Sequence, residues 1–525
     1  MKQFLRSLMV SLTLVSTTAC TADYDIVLTN GRVMDPETQF DAVRNVGIKD
    51  GLIAIITEEA ISGEQVIDAT DHVVAPGFID THTHGSDKFT IKMSMMDGVT
   101  TGLDLELGAM NVGAWYQREA GQWPMNYGQV VSQEMARMMV HDKLDITKPV
   151  DTKDVFPLRA QALEDGVSGW SVSVSNRDQI NQISKILDEN LRQGALGVGS
   201  TIGYASKGIS TYEMFDAQRV AARYGRLSAV HTRFHGSPLT PTESQLAFAE
   251  VYTNASVLEA SLLVCHDNDT GWWEIEEKLA LARKLGMNMW GEYYPYTAGS
   301  SSIGSDFLVP EMLEGTLGLK YKEVLYDPSQ DKFLDKNEYL QIAKDDPGRI
   351  IVVYNPPRKE WLPQWLRVPH MVVASDSMWS ENPDFGWDTD PALFSGHPRT
   401  SGTHSTVLQL AREEGVELMF TLSQLSYWSA LHLGDAGIES MQKRGRLQEG
   451  MVADIVIFNP KTVAPQSTYK AGTNGLPPIG IPHVIVNGEF VKKDNSATGS
   501  LPGLPIRYKE EEKGRFKPIE NSAVK

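Results

Sequence analysis

The chain has 525 residues, of which 41% are hydrophobic and 22% are charged, and its formal net charge is -19. This composition is typical of a globular protein, and the length suits one large domain with a smaller partner domain. The acidic balance excludes nucleic acid as a partner, because neutralising phosphates requires a basic surface. A local basic pocket for an anionic small molecule stays compatible with it.

Residues 1–22 have the pattern of a secretory signal peptide. Lys2 and Arg6 precede an apolar stretch over residues 8–15, and small residues follow before Cys20. This stretch is too short to span a bilayer, so the segment is excluded from the fold. The "TTAC" ending resembles a bacterial lipobox without its usual leucine, and the alternatives are a lipid anchor on Cys20 or plain cleavage nearby. We predict an exported bacterial protein that is periplasmic or anchored to the membrane as a lipoprotein.

The two ends of the remaining chain share one texture. Residues 23–75 alternate as strands do in "YDIVLTNGRVMD" and "RNVGIKDGLIAIIT", with Asn-Gly and Asp-Gly turns. The same alternation returns in residues 445–501, in "GRLQEGMVADIVIFNP" and "PHVIVNGEFVKK". The pattern predicts a small β-sandwich domain built from both chain ends. The charged tail, residues 502–525, is expected to be loosely ordered.

Residues 76–444 alternate short apolar runs with helical stretches. The runs include "LSAVH", "SLLVCH", "MNMWGEYYPY", "RIIVVYNP" and "HMVVASD". This alternation predicts an α/β fold, a (β/α)8 TIM-like barrel, whose reactive groups lie at the carboxyl ends of the strands. A doubly wound sheet is the competing architecture, but no glycine-rich phosphate loop follows a strand.

The stretch "PGFIDTHTHG" places His82 and His84 at the end of an apolar run. Side chains at i and i+2 of a strand share a face, and imidazole pairs are natural metal ligands. Taken alone, the pair fits two surface histidines in a loop better than a metal site.

Four further strand ends carry a polar side chain of the same kind. Glu106 closes "GVTTGLDLE", His231 closes "LSAVH", His266 closes "LLVCH" and Asp376 closes "MVVASD". Each alone is compatible with a polar cap. Together with the histidine pair they predict a divalent metal centre.

This order of ligands, framed by "VVAPGFIDTHTHG" and "GRLQEGMVADIVIFNP", resembles the amidohydrolase superfamily of metal-dependent barrels. Within it, "GALGVGSTIGY", "YPYTAGS", "GHPR" and the ending "VIVNGEFVKKDNSATGSLPGLPIR" are similar to the N-acyl-D-amino acid deacylases, or D-aminoacylases. The resemblance covers nearly the whole chain after the signal segment. It implies one or two divalent ions, Zn²⁺ in the first place, as cofactor.

The resemblance also implies roles for these residues. His82 and His84 would hold the first ion, and His231 and His266 the second. Asp376 would act as a ligand and as the catalytic base, taking the proton of a metal-activated water and passing it to the departing amine.

The acid that bridges the ions has two candidates. The deacylases use a cysteine on the second strand, and this chain has Glu106 close to the matching place. Asp104, two residues earlier on the same face, is the reserve candidate. A carboxylated lysine is not offered by the fourth strand, because "ALGVGSTIG" contains no lysine.

For the substrate, the resemblance implies that Tyr294, Ser300 and Arg399 contact the carboxylate of an N-acyl amino acid, while Tyr204 donates to the scissile carbonyl. A guanidinium matches a carboxylate well. The alternatives are a structural ion pair for Arg399, a helix cap for Ser300 and simple packing for Tyr204.

Two departures bear on the substrate. The deacylases have a lysine two residues after the sixth-strand histidine, where this chain has Asn268, and the segment 346–370 is shorter than theirs. We therefore predict a metal-dependent hydrolase of a linear non-peptide amide that deacylates N-acyl-D-amino acids.

The enzymatic alternative is a cyclic-amide hydrolase or isoaspartyl-type dipeptidase on the same barrel. The non-enzymatic alternative is a periplasmic binding protein, although Asp376 beside five ligands argues against a purely structural metal. Nothing in the sequence determines the oligomeric state.

Overall fold

The computed structural model describes residues 23–164, 166–234 and 243–520. The predicted signal peptide and its Cys20 lie outside the described residues, so export and lipidation stay predictions. Among the helices that are described, none combines the length and the apolar character needed to cross a membrane.

Eight parallel strands form the barrel, which confirms the predicted fold class. Its strands are Phe78–Asp80, Val99–Ala109, Asn126–Ser132, Gly197–Ser200, Leu227–Val230, Leu262–Val264, Met289–Tyr293 and Val372–Val373. The first and last strands meet just beyond their carboxyl ends, where the Asp376 N–H donates to the His82 carbonyl at 2.7 Å. Closure of the barrel therefore falls within the segments that carry the predicted metal ligands.

Buried apolar side chains explain why these short segments are strands. All eleven residues of Val99–Ala109 are buried, and Leu103, Leu105, Leu196 and Leu227 share one interior cluster. Strands covered on both sides are near-continuous apolar runs, as parallel sheets require.

Helices surround the barrel and connect its strands. The α-helices are Lys88–Met96, Val112–Glu119, Gln133–Arg137, Val155–Ala162, Gly169–Val172, Arg177–Arg192, Thr211–Arg223, Glu243–Leu258, Trp272–Lys284, Tyr321–Val324, Lys336–Asp345, Arg358–Trp365, Arg399–Glu413, Leu418–Leu422 and Trp428–Asp435. Several begin at polar caps: Asn176 and Gln179, for example, form a reciprocal capping box at the start of Arg177–Arg192.

A second, mostly antiparallel sheet of nine strands joins the two chain ends, as predicted. Its strands are Tyr24–Asp35, Phe40–Lys49, Leu52–Thr57, Gly63–Asp68, Val73–Pro76, Ile455–Phe458, His483–Val486, Glu489–Lys493 and Ser496–Ala497. The central pairing joins Val73–Pro76 to Ile455–Phe458. Residues from both ends, such as Leu28 and Ile485, share one core.

A small four-stranded antiparallel sheet was not expected from the sequence. It consists of Ala298–Ser302, Leu325–Asp327, Lys332–Phe333 and Ile350–Tyr354. The run "RIIVVYNP" therefore belongs to this small sheet, and its interpretation as a barrel strand is wrong. A short apolar run is buried in either setting, so periodicity alone does not assign it to a sheet.

The C-terminal tail, which the structure describes up to residue 520, contacts the barrel instead of being loosely ordered. The Ile506 N–H donates to the Tyr127 carbonyl at 2.7 Å, and the Tyr508 N–H donates to the Gly194 carbonyl at 3.1 Å. Ile506 is fully buried. These contacts tie the tail to the barrel, so the expectation of loose order is wrong for residues 502–520.

Candidate metal centre and cleft

His82 and His84 follow the first barrel strand, and both are buried. Their Nε2 atoms lie 3.1 Å apart. The shared face expected for residues i and i+2 is therefore present, with both rings aimed at one point inside the mouth of the barrel.

Glu106 stands between the two histidine pairs. Its Oε2 lies 3.2 Å from Nε2 of His82 and 3.2 Å from Nε2 of His84. Its Oε1 lies 2.8 Å from His231 Nδ1 and 3.2 Å from His266 Nε2. One carboxylate thus divides its oxygens between the pairs, which is the arrangement of a ligand shared by two cations.

Two further carboxylates hold the first histidine pair from behind. His82 Nδ1 lies 2.6 Å from Glu292 Oε1, and His84 Nδ1 lies 3.0 Å from Asp104 Oδ2. Because an ionised carboxylate only accepts, each Nδ1 carries a proton and donates it. Asp104, the reserve candidate for the bridge, is thus placed behind His84. Fixing Nδ1–H in this way presents Nε2 as the metal-facing lone pair.

The resulting cluster fits a bound divalent cation. In the neutral rings the Nε2 lone pairs of His82 and His84 face each other, which is unfavourable in a buried site unless positive charge lies between them. Burial alone would lower the pKa of His82, but the carboxylates of Asp376, Glu106 and Glu292 raise this pKa well above its usual value. Imidazole and carboxylate donors suit zinc and similar ions.

The described residues form three groups of potential ligand atoms that lie within 4.8 Å of one another. The strand-end residues make up two of them, His82, His84 and Asp376 in one and Glu106, His231 and His266 in the other; the third, of His82, Cys265 and Glu292, shares His82 with the first. All six strand-end residues singled out in the sequence are therefore brought together. Two adjacent groups provide room for one or two ions.

Asp376 occupies an unusual backbone conformation beside the first pair. Its φ is 49° and that of His266 is 35°, in the left-handed region that residues other than glycine adopt uncommonly. Asp376 Oδ1 lies 3.5 Å from His82 Nε2, and Oδ2 lies 2.8 Å from Arg399 Nη1. Burial would raise the pKa of Asp376, but Arg399 and His82 outweigh it and lower this pKa well below its usual value. The side chain is therefore a carboxylate.

The substrate residues implied by the resemblance lie near the centre in different settings. The Tyr204 ring lies beside that of His231, tilted by 41° with ring centroids 4.9 Å apart. Burial raises the pKa of Tyr204 to about 12, so the phenol keeps its proton and can donate. The Tyr294 hydroxyl accepts from Arg358 Nη1 at 2.7 Å. Ser300 lies on the small sheet and donates to the Ile351 carbonyl at 3.0 Å, so its interpretation as a helix cap is wrong. The pairing of Arg399 with Asp376 matches the ion-pair alternative for that arginine.

An open cleft leads to the centre. Its lining includes His84, Glu106, His266 and Asp376 from the metal centre, Ser300 and Ser301 from the small sheet, and Phe156, Arg159, Tyr204 and Trp379 from the wall.

Sequence reasoning missed three charged residues near the site. Glu292 lies inside "MNMWGEYYPY", where an acid in a wholly buried strand was the available signal. Arg358 forms a forked pair with Asp269, at 2.8 Å and 2.7 Å. Arg159 lies on the helix Val155–Ala162, which carries no motif. Only packing brings the two arginines to the site.

No family model matches the chain. D-aminoacylase of Alcaligenes xylosoxydans xylosoxydans is 24% identical over 506 residues, which cover 91% of this chain and 97% of the relative. N-acyl-D-glutamate deacylase of the same organism is 26% identical over 486 residues, which cover 88% and 93%. The likeness is thus modest in identity but extends over nearly the full length of both proteins.

A solved structure gives the same result for the fold. N-acyl-D-glutamate deacylase from Bordetella bronchiseptica, crystallised with zinc and a phosphonate inhibitor, superposes with a TM-score of 0.72 and 21% identity, covering 92% of this chain and all of that one. In fold, donor cluster and sequence relatives the chain is similar to the metal-dependent hydrolases of the amidohydrolase type. Within this class the chain resembles D-aminoacylase and N-acyl-D-glutamate deacylase, and the resemblance predicted from the motifs is confirmed.

Proposed function

We propose that the protein deacylates N-acyl-D-amino acids by hydrolysis of their linear amide bond, with one or two divalent ions, zinc in the first place, at the centre around Glu106. The observation that carries this proposal is the sharing of the Glu106 oxygens between two histidine pairs. A cleft opens above the pairs, and the relatives matched over nearly their whole length are deacylases.

The cation-holding residues would be His82, His84, Glu106, His231 and His266, with Asp376 completing the first group. Ions held there supply Lewis acidity towards the amide carbonyl and activation of a water molecule. Glu292 and Asp104 orient the first histidine pair through Nδ1.

Asp376 is placed to move protons. It is a carboxylate held by Arg399, and it lines the cleft beside His84 and His266. A carboxylate at this place can take a proton from the attacking water and return it to the nitrogen of the leaving group. Tyr204 lines the same cleft as a protonated phenol, which suits it to donate to the carbonyl oxygen as negative charge develops there.

The decisive experiment measures hydrolysis of N-acetyl-D- and N-acetyl-L-amino acids before chelation, after chelation and after zinc is restored. We expect turnover of the D series that is lost with the metal and recovered with zinc. A hydantoin and a β-aspartyl dipeptide are assayed in parallel, because a preference for either would favour the alternative hydrolases over a deacylase.

Metal analysis accompanies these assays. Activity towards amides in protein that contains no metal and resists chelators would contradict the proposal. An Arg32→Gln variant is a suitable control, because Arg32 forms a forked ion pair with Asp41 in the antiparallel sheet, far in the fold from the cleft.

A further inference from the structure

Among the described residues that line the cleft over the metal centre, one side chain is positively charged. That side chain is Arg159, and the other charged groups in the lining are Glu106 and Asp376, with His84 and His266 as titratable rings. An N-acyl amino acid carries a carboxylate that must be matched inside this acidic cleft, so the position of the cation matters for substrate choice.

Arg159 is held rigidly at the cleft wall. Its Nε and Nη2 donate to the two oxygens of buried Glu134 at 2.7 Å and 2.9 Å. Its guanidinium carbon lies 4.8 Å from the ring centre of Tyr204 and 5.2 Å from that of Trp170. A guanidinium fixed by a fork and by rings loses little freedom when it binds a second anion.

The same segment is tied to the metal centre. Thr152, one turn ahead of the helix Val155–Ala162, donates through its hydroxyl to Asp104, which in turn holds His84. The distance between Arg159 and the reacting groups is thus set by a short chain of contacts.

The pair with Glu134 does not use all the N–H groups of the Arg159 guanidinium. A guanidinium has five N–H groups, and the fork on Glu134 engages Nε and Nη2. Within residues 23–164, 166–234 and 243–520, Nη1 has no hydrogen-bond acceptor. The side chain retains 19% of its exposure, on the cleft side.

The two other arginines near the site are engaged differently. Arg358 uses Nε and Nη2 on Asp269 and Nη1 on the Tyr294 hydroxyl. Arg399 is 1% exposed, lies outside the lining of the cleft and contacts Asp376. Its Nε is buried without an acceptor among the described residues, so it is the rival for the same role.

We propose that Arg159 binds the carboxylate of the substrate through Nη1, and that Arg399 instead positions Asp376. This inference rests on the proposed function, because it assigns the substrate anion within the same cleft. Arg159 is then a specificity-determining residue, which favours anionic N-acyl amino acids over their neutral amides.

The test compares N-acetyl-D-leucine, N-acetyl-D-leucinamide and N-acetyl-D-glutamate as substrates of the zinc-loaded protein. Losing a charge-assisted hydrogen bond should cost about 10- to 100-fold in kcat/KM. For Arg159→Gln we expect this loss with N-acetyl-D-leucine, mainly in KM, and little change with the amide. Arg159→Lys should recover part of it, and Arg32→Gln should behave as wild type.

Two further variants keep the result interpretable. Arg159→Gln leaves Glu134 buried and unpaired, so the double variant Arg159→Gln/Glu134→Gln removes both partners if the single variant folds poorly. Arg399→Lys should lower kcat for the acid and the amide alike, because it acts through Asp376.

The third substrate, N-acetyl-D-glutamate, distinguishes binding of the α-carboxylate from binding of a side-chain carboxylate. A loss seen with N-acetyl-D-leucine assigns the α-carboxylate, whereas a loss confined to N-acetyl-D-glutamate assigns the side-chain carboxylate. Equal effects on acid and amide, or a preference for the acid that disappears in Arg399→Lys and survives in Arg159→Gln, would overturn the inference.

Calorimetric binding of N-acetyl-D-leucine and its amide separates this inference from the proposed function. Preferential binding of the acid that depends on Arg159, without turnover of any substrate, would reject deacylation and retain the Arg159 site. Turnover of the substrates without an acid preference that depends on Arg159 would retain deacylation and reject the Arg159 site.

Discussion

Two buried acidic sites of this molecule satisfy their charge in opposite ways. At the junction of the barrel and the antiparallel sheet, Asp454 accepts from Arg444 Nε at 2.9 Å, from Asn126 Nδ2 at 2.9 Å and from the Asn487 N–H at 2.7 Å. At the mouth of the barrel, His82 and His84 turn lone pairs towards each other and towards Glu106. The hydrogen bonds of the first site are complete within the described residues, whereas the second site offers converging donor atoms that could hold a cation.

The difference separates a structural site from a functional one more clearly than burial does. Asp454 and Glu106 are both buried, yet only Glu106 shares its oxygens among four imidazoles, two of which, His82 and His84, are held by carboxylates through Nδ1. Convergence of acceptors costs stability, and proteins keep such costs where chemistry needs them. Variants of both sites can test this distinction.

The largest effect is expected at Asp376. Asp376→Asn should lower kcat by about 10²- to 10⁴-fold, the range for loss of a general base, while the histidines and Glu106 keep the metal. Steady-state kinetics of the zinc-loaded variant, with metal content determined on the same sample, check this. Near-normal turnover with full metal would show that the proton is moved by another group.

The next effect is expected at Glu106. Glu106→Gln keeps the shape but withdraws the charge shared by the two histidine pairs, so the protein should lose one ion per chain. Asp104→Asn removes only a contact behind His84, so it should weaken metal affinity by about 10- to 100-fold and retain stoichiometry at saturating zinc. Titration with zinc under a competing chelator measures both. If Asp104→Asn abolishes metal binding and Glu106→Gln does not, the bridge is assigned to the wrong acid.

The smallest effect on the metal centre is expected from a change in the Asp454 cluster, whose carboxylate is paired within the protein. Asp454→Asn leaves Arg444 buried and unpaired, and should lower the free energy of unfolding by roughly 2–5 kcal/mol. Metal stoichiometry and kcat/KM of the folded fraction should be unchanged. Denaturant unfolding and zinc analysis measure the two quantities, and a change in metal content would show that the two sites are coupled.

Much of the centre could be predicted because parallel strands end at one edge. His231 closes "LSAVH" and His266 closes "LLVCH", and their neighbouring strands pair in register. Position along the chain thus translates into position in space, without knowledge of how the loops pack.

The rest depended on packing that periodicity does not encode. Arg159 reaches the cleft because its helix is anchored by the contacts of Thr152 and Glu134. These contacts join separate segments of the chain and form only when the chain folds. The run "RIIVVYNP" had the composition of a barrel strand, and only its pairing with Ala298–Ser302 assigns it to the small sheet. The local sequence pattern determines that an apolar run is buried, whereas the strands that pair with it determine the sheet to which it belongs.

The antiparallel sheet also has a consequence for synthesis of the protein. The Ile56 N–H donates to Glu449, a residue 393 positions later, and Val73–Pro76 pairs with Ile455–Phe458. At about 5–20 residues per second, a ribosome needs on the order of 20–80 s to make the intervening chain. For that time the early strands lack their central neighbour, so the nascent chain carries an open strand edge that must be kept from pairing with another molecule.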